Sequence, residues 1–246
     1  QKSGEFVTNT GTKKRRFRRV ESKITAKGAR AIFYRQFLEY KKEKYFIFTK
    51  MTVLSAVVAF IFAYSLQKSV SDSSMAGFIL LGVVAYVALI MSGYTGKWES
   101  ELKNPYIFLI PDSPLKKMWY ATLMEHVKAF ADGCIICIPI GIFWHVPVIE
   151  IIYCILIYTV LQADRLYTMV IVQSLLGEVF GKTGQSLLRM FIQMALLGVG
   201  AGVGVLAAVL ISQTLIFPIV LIYGLMITVA MGAIALLRFD TMEQFV

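Results

Sequence analysis

The chain is 246 residues long, and 57% of its residues are hydrophobic while only 16% are charged; its mean hydropathy is +0.68. This composition excludes an ordinary soluble domain, in which about a quarter of the residues are charged. The charge is also uneven, because residues 1–46 carry 14 Lys and Arg against 4 Asp and Glu, whereas residues 47–246 carry 11 of each. The sequence predicts an integral membrane protein with a basic leading segment.

Six apolar runs follow the basic segment. A bilayer core about 30 Å thick requires roughly 20 apolar helical residues, and the continuous character of the runs favours helices over an alternating β-barrel pattern. We therefore predict an all-α fold with six transmembrane helices. The runs cover residues 47–66, 75–94, 129–146, 148–163 with an extension toward 176, 190–212 and 214–237.

The basic residues also predict the orientation. If the leading segment is cytoplasmic, 24 of the 25 Lys and Arg lie on the inner side and only Lys68 lies outside. Basic residues concentrate in cytoplasmic loops of membrane proteins. We expect a multi-pass protein of the cell membrane with both termini in the cytoplasm.

Two segments are predicted before the transmembrane domain of residues 47–246. Residues 1–22 form a basic cytoplasmic linker, whose basic run at 13–19 suits nucleic acid or anionic lipid headgroups. The apolar runs that follow favour the lipid bilayer as its partner and disfavour nucleic acid. Residues 23–46 place apolar side chains at helical spacing among basic ones, which predicts an amphipathic interfacial helix. A straight extension of the first span is the alternative.

Residues 95–128 form the long polar connection between the second and third spans. The proline after Asn104 disfavours a helix at that point, and the apolar residues 106–110 are too few to cross a bilayer. The pattern predicts a connection that folds at the cytoplasmic face.

A new helix is predicted to begin in the turn formed by residues 111–114. Asp112 or Ser113 can cap it, and Pro114 suits its first turn. Apolar residues then recur at helical spacing from Leu115, which predicts an amphipathic helix leading into the third span. An apolar patch between prolines and surrounded by lysines has the character of a docking site for a soluble partner. An elbow that lies on the membrane is the alternative.

Candidate catalytic residues are few. The two histidines, His126 and His145, are predicted on opposite sides of the membrane, so neither a histidine metal site nor a catalytic triad is expected. The pair Cys134 and Cys137 lacks further ligands and suits small apolar positions. We predict no catalytic, cofactor-binding or metal site in the chain. Asp132, about one turn inside the third span, is the candidate intramembrane polar site.

The glycine-containing segment 177–184, GEVFGKTG, superficially matches a phosphate-binding loop. It has three residues between its first two glycines where the motif needs four, so we do not expect this chain to bind ATP. The fifth span contains two G-x-x-x-G pairs, Gly198 with Gly202 and Gly200 with Gly204. Such pairs let helices approach closely, either within the chain or between two copies.

These features together resemble a known family. A basic amphipathic helix, six spans with both ends inside, a long inner connection and the words NPYIFLIPDSPLKKMWYATLMEHVK are similar to the permease half of an ABC exporter. They most resemble the putative ABC exporter family of Gram-positive bacteria. The layout covers nearly the whole chain, and IPDSPLKK is its most specific local match.

The resemblance implies that residues 104–117 are a coupling helix element seated on a separate ABC ATPase subunit, which binds ATP and Mg. It also implies that residues 27–45 are an elbow helix and that two six-span units form one transporter. The cargo would be a peptide, a lipid or an amphipathic small molecule, and the chain itself would not be an enzyme. The expected docking residues are Asn104, Pro105, Tyr106, Phe108, Pro111, Asp112, Ser113, Pro114, Lys116 and Lys117.

Two other functions stay open at this point. A stand-alone carrier or channel predicts charged or broken-helix sites near the bilayer midplane, and a membrane scaffold predicts a partner held by the basic leader. The start at Gln1 would fit the second half of a longer two-unit permease.

Overall fold

The computed structural model describes residues 26–42, 46, 48, 50–67, 75–93, 97–102, 105–176, 181–210 and 215–244. Within these ranges the chain is 90% helical and contains no strand, so the predicted all-α class is confirmed. A short 3-10 helix, Pro105–Ile107, lies in the connection before α5. The α-helices are α1 (Arg30–Lys42), α2 (Lys50–Leu66), α3 (Ala76–Ser92), α4 (Lys97–Leu102), α5 (Pro114–Phe143), α6 (Val148–Leu176), α7 (Gly181–Leu210) and α8 (Ile216–Gln244).

Five helices in the described ranges are long and apolar enough to cross a membrane: those of α3, α5, α6, α7 and α8. The remaining predicted span, residues 47–66, corresponds to α2, which holds a shorter apolar stretch, Thr52–Leu66. The chain is therefore a multi-pass helical membrane protein, with five long helices and one shorter apolar helix.

Helix α6 is at the centre of the bundle and packs against α3, α5, α7 and α8. Two glycines let α5 approach it closely: an added Cβ at Gly141 would lie 2.4 Å from Ile151 Cδ1, and one at Gly133 would lie 3.1 Å from Tyr158 Cδ1. Between α5 and α6, His145 adopts a φ of 54°, and the next N–H, of Val146, donates to Gly141 O at 2.9 Å. Many helices end in this way, with a residue in the left-handed conformation just after the last turn.

Several helices are longer than the apolar runs that predicted them. Helix α5 begins at Pro114 and includes both the amphipathic lead-in and the third span, with Pro139 inside it. Helix α6 reaches Leu176, as the predicted extension allowed, α7 begins at Gly181 and α8 continues to Gln244. A hydropathy pattern identifies only the apolar, lipid-facing part of a helix. The polar ends of these helices are also helical because they pack on one another.

Two hydrophobic cores hold the bundle. The first joins α2, α3, α5 and α6 with Phe217 of α8. The second joins α1, α4, the connection, the start of α5 and parts of α6 and α8. Its buried members are Ile32, Trp98, Leu102, Ile107, Phe108, Met118, Ala121, Leu166, Met169, Val170, Ile171, Ala235 and Phe239. The second core makes the connection a folded part of the protein.

The predicted linker 1–22, Asn104 and the first half of the glycine-containing segment, residues 177–180, lie outside the described residues.

Candidate functional site

Helix α1 lies along the first half of α5. Its buried side chains Ile32, Gln36 and Tyr40 recur at four-residue spacing, which places them on one helix face. The hydrogen bonds between the two helices are Arg30 Nε to Tyr120 Oη at 3.2 Å, Gln36 Nε2 to Ala121 O at 3.0 Å and Tyr40 Oη to Glu125 Oε1 at 3.1 Å. We call the described part of the predicted elbow, residues 27–42, the elbow segment. It is attached to α5 by polar as well as apolar contacts.

The turn before α5 is attached to the residues that precede α1. The backbone N–H of Ala29 donates to Asp112 Oδ2 at 3.2 Å, and the N–H of Ser113 donates to Asp112 Oδ1 at 3.0 Å. Lys116 Nζ lies 3.6 Å from the same Oδ1. The hydrogen bond from Ala29, followed by those from Ser113 and Lys116, lowers the pKa of Asp112. Ser113 occupies the cap position without a side-chain cap hydrogen bond.

Gly28 lets the chain pass close to Asp112. Its φ is +64°, in the left-handed region that favours glycine. An added Cβ would lie 2.9 Å from Asp112 Oδ2. The contact between the elbow segment and the turn therefore depends on a glycine at position 28.

Helix α4 is anchored to three other helices. Trp98 is completely buried and its Nε1 donates to Leu166 O of α6 at 3.2 Å. Glu99 Oε2 accepts from Arg189 Nη1 of α7 at 3.2 Å, and Glu101 pairs with Arg35 of α1. These contacts join residues far apart in the chain.

Two residues expected at the docking surface lie inside the protein. Lys117 is buried, and its Nζ donates to Phe108 O at 3.0 Å and to Glu243 Oε1 at 2.6 Å. The Phe108 ring lies 5.1 Å from the ring of Phe239. Both side chains therefore pack on the inner side of the connection, and neither is exposed to a partner.

Four other apolar side chains of the connection are exposed, and we name them together the docking surface. Pro111, Ser113 and Lys116 are also exposed beside it, while Pro114 is half-buried. The docking surface consists of Tyr106, Leu109, Leu115 and Trp119, with exposed fractions of 70%, 65%, 57% and 51%. The backbone of Pro105 lies in the 3-10 helix.

Asp132 lies in a buried polar group between α5 and α6. It lines a cavity of about 20 Å³ with Glu125, Lys128, Tyr158, Gln162 and Arg165, which is room for about one water molecule. Arg165 Nη1 donates to Met91 O at 3.0 Å. In the described part of the chain, Asp132 Oδ1 has no hydrogen-bond partner.

The four glycines of the two G-x-x-x-G pairs in α7 face two directions. An added Cβ at Gly200 would lie 3.0 Å from Tyr223 Cε1, and one at Gly204 would lie 3.3 Å from Val220 Cγ2. Gly200 and Gly204 therefore pack on α8 within the chain. Gly198 and Gly202 have open space where a Cβ would be.

Sequence reasoning did not identify the Glu99–Arg189 pair or the burial of Asp164. Asp164 and Arg189 are ionisable residues at the ends of apolar runs, and Glu99 lies in the connection after the second run. The composition of the runs contained the signal, since a charged residue at membrane depth is a functional candidate. Glu99 and Arg189 are 90 positions apart in the sequence, and no local pattern indicated their contact.

The helices and the folded connection define a multi-pass membrane protein with an anchored, partly exposed element between α3 and α5. A family model described as Putative ABC exporter matches residues 1–243. The chain therefore belongs to the putative ABC exporter family, and the resemblance inferred from the sequence is confirmed. Membership indicates a transport component that associates with an ATPase and the membrane. The comparisons with curated proteins and with solved structures gave no match.

Proposed function

We propose that this chain is the permease of an ATP-driven exporter and that a separate ATPase subunit binds the docking surface. The observation that carries the proposal is the exposure of Tyr106, Leu109, Leu115 and Trp119 on a connection that is anchored from beneath. Large exposed apolar patches mark interaction sites, and aromatic residues are enriched in interfaces. In this proposal the partner binds ATP and Mg, and the chain supplies the transport path.

The contacts beneath the docking surface give a route for coupling. The turn reaches the elbow segment through Asp112 and Ala29, and α4 reaches α7 through Glu99 and Arg189. The connection and α5 reach α8 through Lys117 and Glu243. A displacement of the docking surface would therefore act on α1, α5, α7 and α8 together. ATP binding in the partner would shift the population between two arrangements of these helices.

Two long-range contacts support six spans. Ala29, before α1, contacts Asp112, before α5, so these two points lie on one side of the membrane. If α3, which is long enough to cross, spans the membrane, this contact requires a second crossing between the two points, and α2 is the described apolar helix available for it. The 17 residues of α2 extend about 25 Å, and a short span is accommodated by local thinning of the bilayer.

The C-terminal helix supports the same arrangement. Lys117 at the start of α5 contacts Glu243 at the end of α8, so an even number of crossings separates them, and α5, α6, α7 and α8 supply four. With the basic leader in the cytoplasm, the docking surface, α1 and the end of α8 all lie on the cytoplasmic side. This is the side on which an ATPase has access to ATP.

The proposal includes a second six-span unit. Helix α7 exposes Val199, Leu206 and Leu210, and Gly198 and Gly202 leave open space beside it. Exposed small residues on an apolar helix favour close contact with another helix. Lipid covers the remaining apolar surface in this arrangement.

The proposal is tested by purifying the chain from its native membrane in mild detergent and measuring ATPase activity and ATP-driven export after reconstitution. We expect an ATP-binding subunit at equal stoichiometry, and we expect Pro111→Ala with Lys116→Ala to reduce export severalfold. Both side chains are exposed, and Lys116 also lies 3.6 Å from Asp112 Oδ1. A preparation without ATPase activity, with solute movement retained, would contradict the proposal and favour a carrier, with Asp132 as the next residue to test.

A further inference from the structure

The structure holds a large apolar cavity between α3, α6, α7 and α8. Its volume is about 330 Å³, within the range of about 300–1,000 Å³ over which proteins bind small organic molecules. Phe78 of α3 and Tyr223 of α8 line it, together with small residues such as Gly82 and Gly200. The small residues leave the volume open, and the aromatic residues give it a polarisable wall.

A residue with a buried carboxylate forms part of this wall. Asp164 of α6 lines the cavity and is 1% exposed. Its Oδ1 has no hydrogen-bond partner among the described residues, and no ion pair joins it to a cation in those ranges. The adjacent Arg165 is directed to Met91 O instead. An unpaired buried carboxylate is costly, and either a proton or a positively charged partner relieves that cost.

The neighbours of Asp164 do not meet this need. Thr228 is a hydrogen-bond neighbour of the carboxylate, but its hydroxyl also donates to Gly224 O at 2.8 Å, and a hydroxyl carries one donor hydrogen. The other polar side chain among those that line the cavity, Tyr223, donates its hydroxyl to Leu196 O at 3.1 Å. Two buried charged groups elsewhere do have a charged partner: Glu99 pairs with Arg189 and Lys117 with Glu243.

We propose that this cavity binds an amphipathic organic cation, whose apolar groups fill the space between the four helices and whose positive charge pairs with Asp164. The aromatic rings of Phe78 and Tyr223 would contribute cation–π attraction. Assigning this cation as the exported cargo rests on the proposed function, whereas binding itself does not require the ATPase.

The test uses the full chain in nanodiscs of zwitterionic lipid and measures binding of radiolabelled tetraphenylphosphonium by equilibrium dialysis, with empty nanodiscs subtracted. Tetraphenylborate is the matched probe of nearly the same shape and opposite charge. We expect saturable binding of the cation and none of the anion. Asp164→Asn should weaken cation binding about tenfold or more, because it removes the charge partner.

A second variant keeps the test decisive if Asp164→Asn fails to fold. An added Cβ at Gly82 would have nothing within 4 Å, so Gly82→Leu narrows the cavity without a clash at its base, and we expect weaker cation binding. The control is Ala230→Leu, at an exposed position of α8 outside the cavity, which should bind as wild type.

Three results would each overturn the proposal: equal binding of both probes, unchanged affinity in Asp164→Asn, or no saturable binding. Equal binding of both probes would indicate a lipid-like apolar site. Failure here with an ATPase still attached to the chain would leave the proposed exporter function standing. Cation binding by a preparation without any ATPase would support the cation site and contradict the proposed exporter function.

Discussion

Lys117 Nζ lies 2.6 Å from Glu243 Oε1, so the first turn of α5 is joined to the last turn of α8 across 126 residues of sequence. The same ammonium group donates to Phe108 O at 3.0 Å. One buried lysine therefore links the folded connection, α5 and the C-terminal helix. This junction lies directly beneath the docking surface.

Replacing Lys117 with Met should destabilise the protein, because Phe108 O and the Glu243 carboxylate lose their donor while the apolar stem is retained. The expected loss is about 1–3 kcal/mol, kept moderate by the 27% exposure of the Glu243 side chain. This corresponds to a fall in melting temperature of about 2–10 °C, measured by tryptophan fluorescence in detergent. Lys116→Met is the matched control, with an expected change within about 0.5 kcal/mol. Equal effects of the two variants would contradict the assignment.

Gly28→Ala should detach the elbow segment from the turn. The new Cβ would lie 2.9 Å from Asp112 Oδ2 and would disturb the hydrogen bond from Ala29. Gly181→Ala provides the control, since Gly181 has a similar φ of +60° but nothing within 4 Å of an added Cβ. Both variants carry about 1 kcal/mol of backbone strain. We expect faster proteolysis near residue 28 in Gly28→Ala; identical digestion of both variants would exclude a role for the close contact.

The contribution of Asp112 should be constant between pH 5 and 8. Its pKa is lowered in the folded protein by the N–H of Ala29, then by that of Ser113 and by Lys116, so its stabilising effect is present above the unfolded value near 4. That effect is lost as pH falls through the folded pKa. Hydrogen exchange at the Ala29 amide, corrected for the intrinsic rate, measures it. Protection should be level from pH 8 to 5 and fall in more acidic buffer.

Substitution at Asp112 separates its charge from its hydrogen bonding. Asp112→Asn keeps an oxygen acceptor for Ala29 and should retain most of the protection, whereas Asp112→Ala should lose it at every pH. Protection of Ala29 that is unchanged in Asp112→Ala would show that the amide is shielded by other contacts.

The topology predicts opposite labelling of two exposed positions. Leu109→Cys should react with an impermeant maleimide in inside-out vesicles, and Val148→Cys should react in right-side-out vesicles, in a chain whose three cysteines are replaced by serine. Both native side chains are exposed, so access differs only by side. Labelling of both positions from one side would contradict the crossing of α5.

The sequence was sufficient for the apolar runs and for the start of α5, because Pro114 at a first turn and continuous hydropathy are local signals. It could not separate Lys116 from Lys117. The two lysines are adjacent, yet a helix turns by about 100° per residue, and only the packing of α8 decides which one is buried. Phe108 was placed at the docking surface for the same reason, since its contact with Phe239 depends on a helix more than a hundred residues later.

The pairs that anchor α4 also escaped prediction. Trp98 meets the backbone of α6 and Glu99 meets Arg189 of α7, and no local pattern specifies either contact. Local sequence therefore predicted where the folded connection lies, and tertiary packing determined which of its residues are exposed.

The measurement that tests the docking surface most directly is the ATPase activity that co-purifies with the chain when one of its exposed leucines is changed. Leu109→Asp removes an apolar contact from the docking surface, while Val148→Asp, at a comparably exposed position, places the same change at the start of α6. We predict that Leu109→Asp reduces co-purified ATPase activity per permease about tenfold or more and that Val148→Asp leaves it unchanged. Full ATPase recovery with Leu109→Asp, or equal losses in both variants, would contradict the assignment of this surface to the ATPase partner.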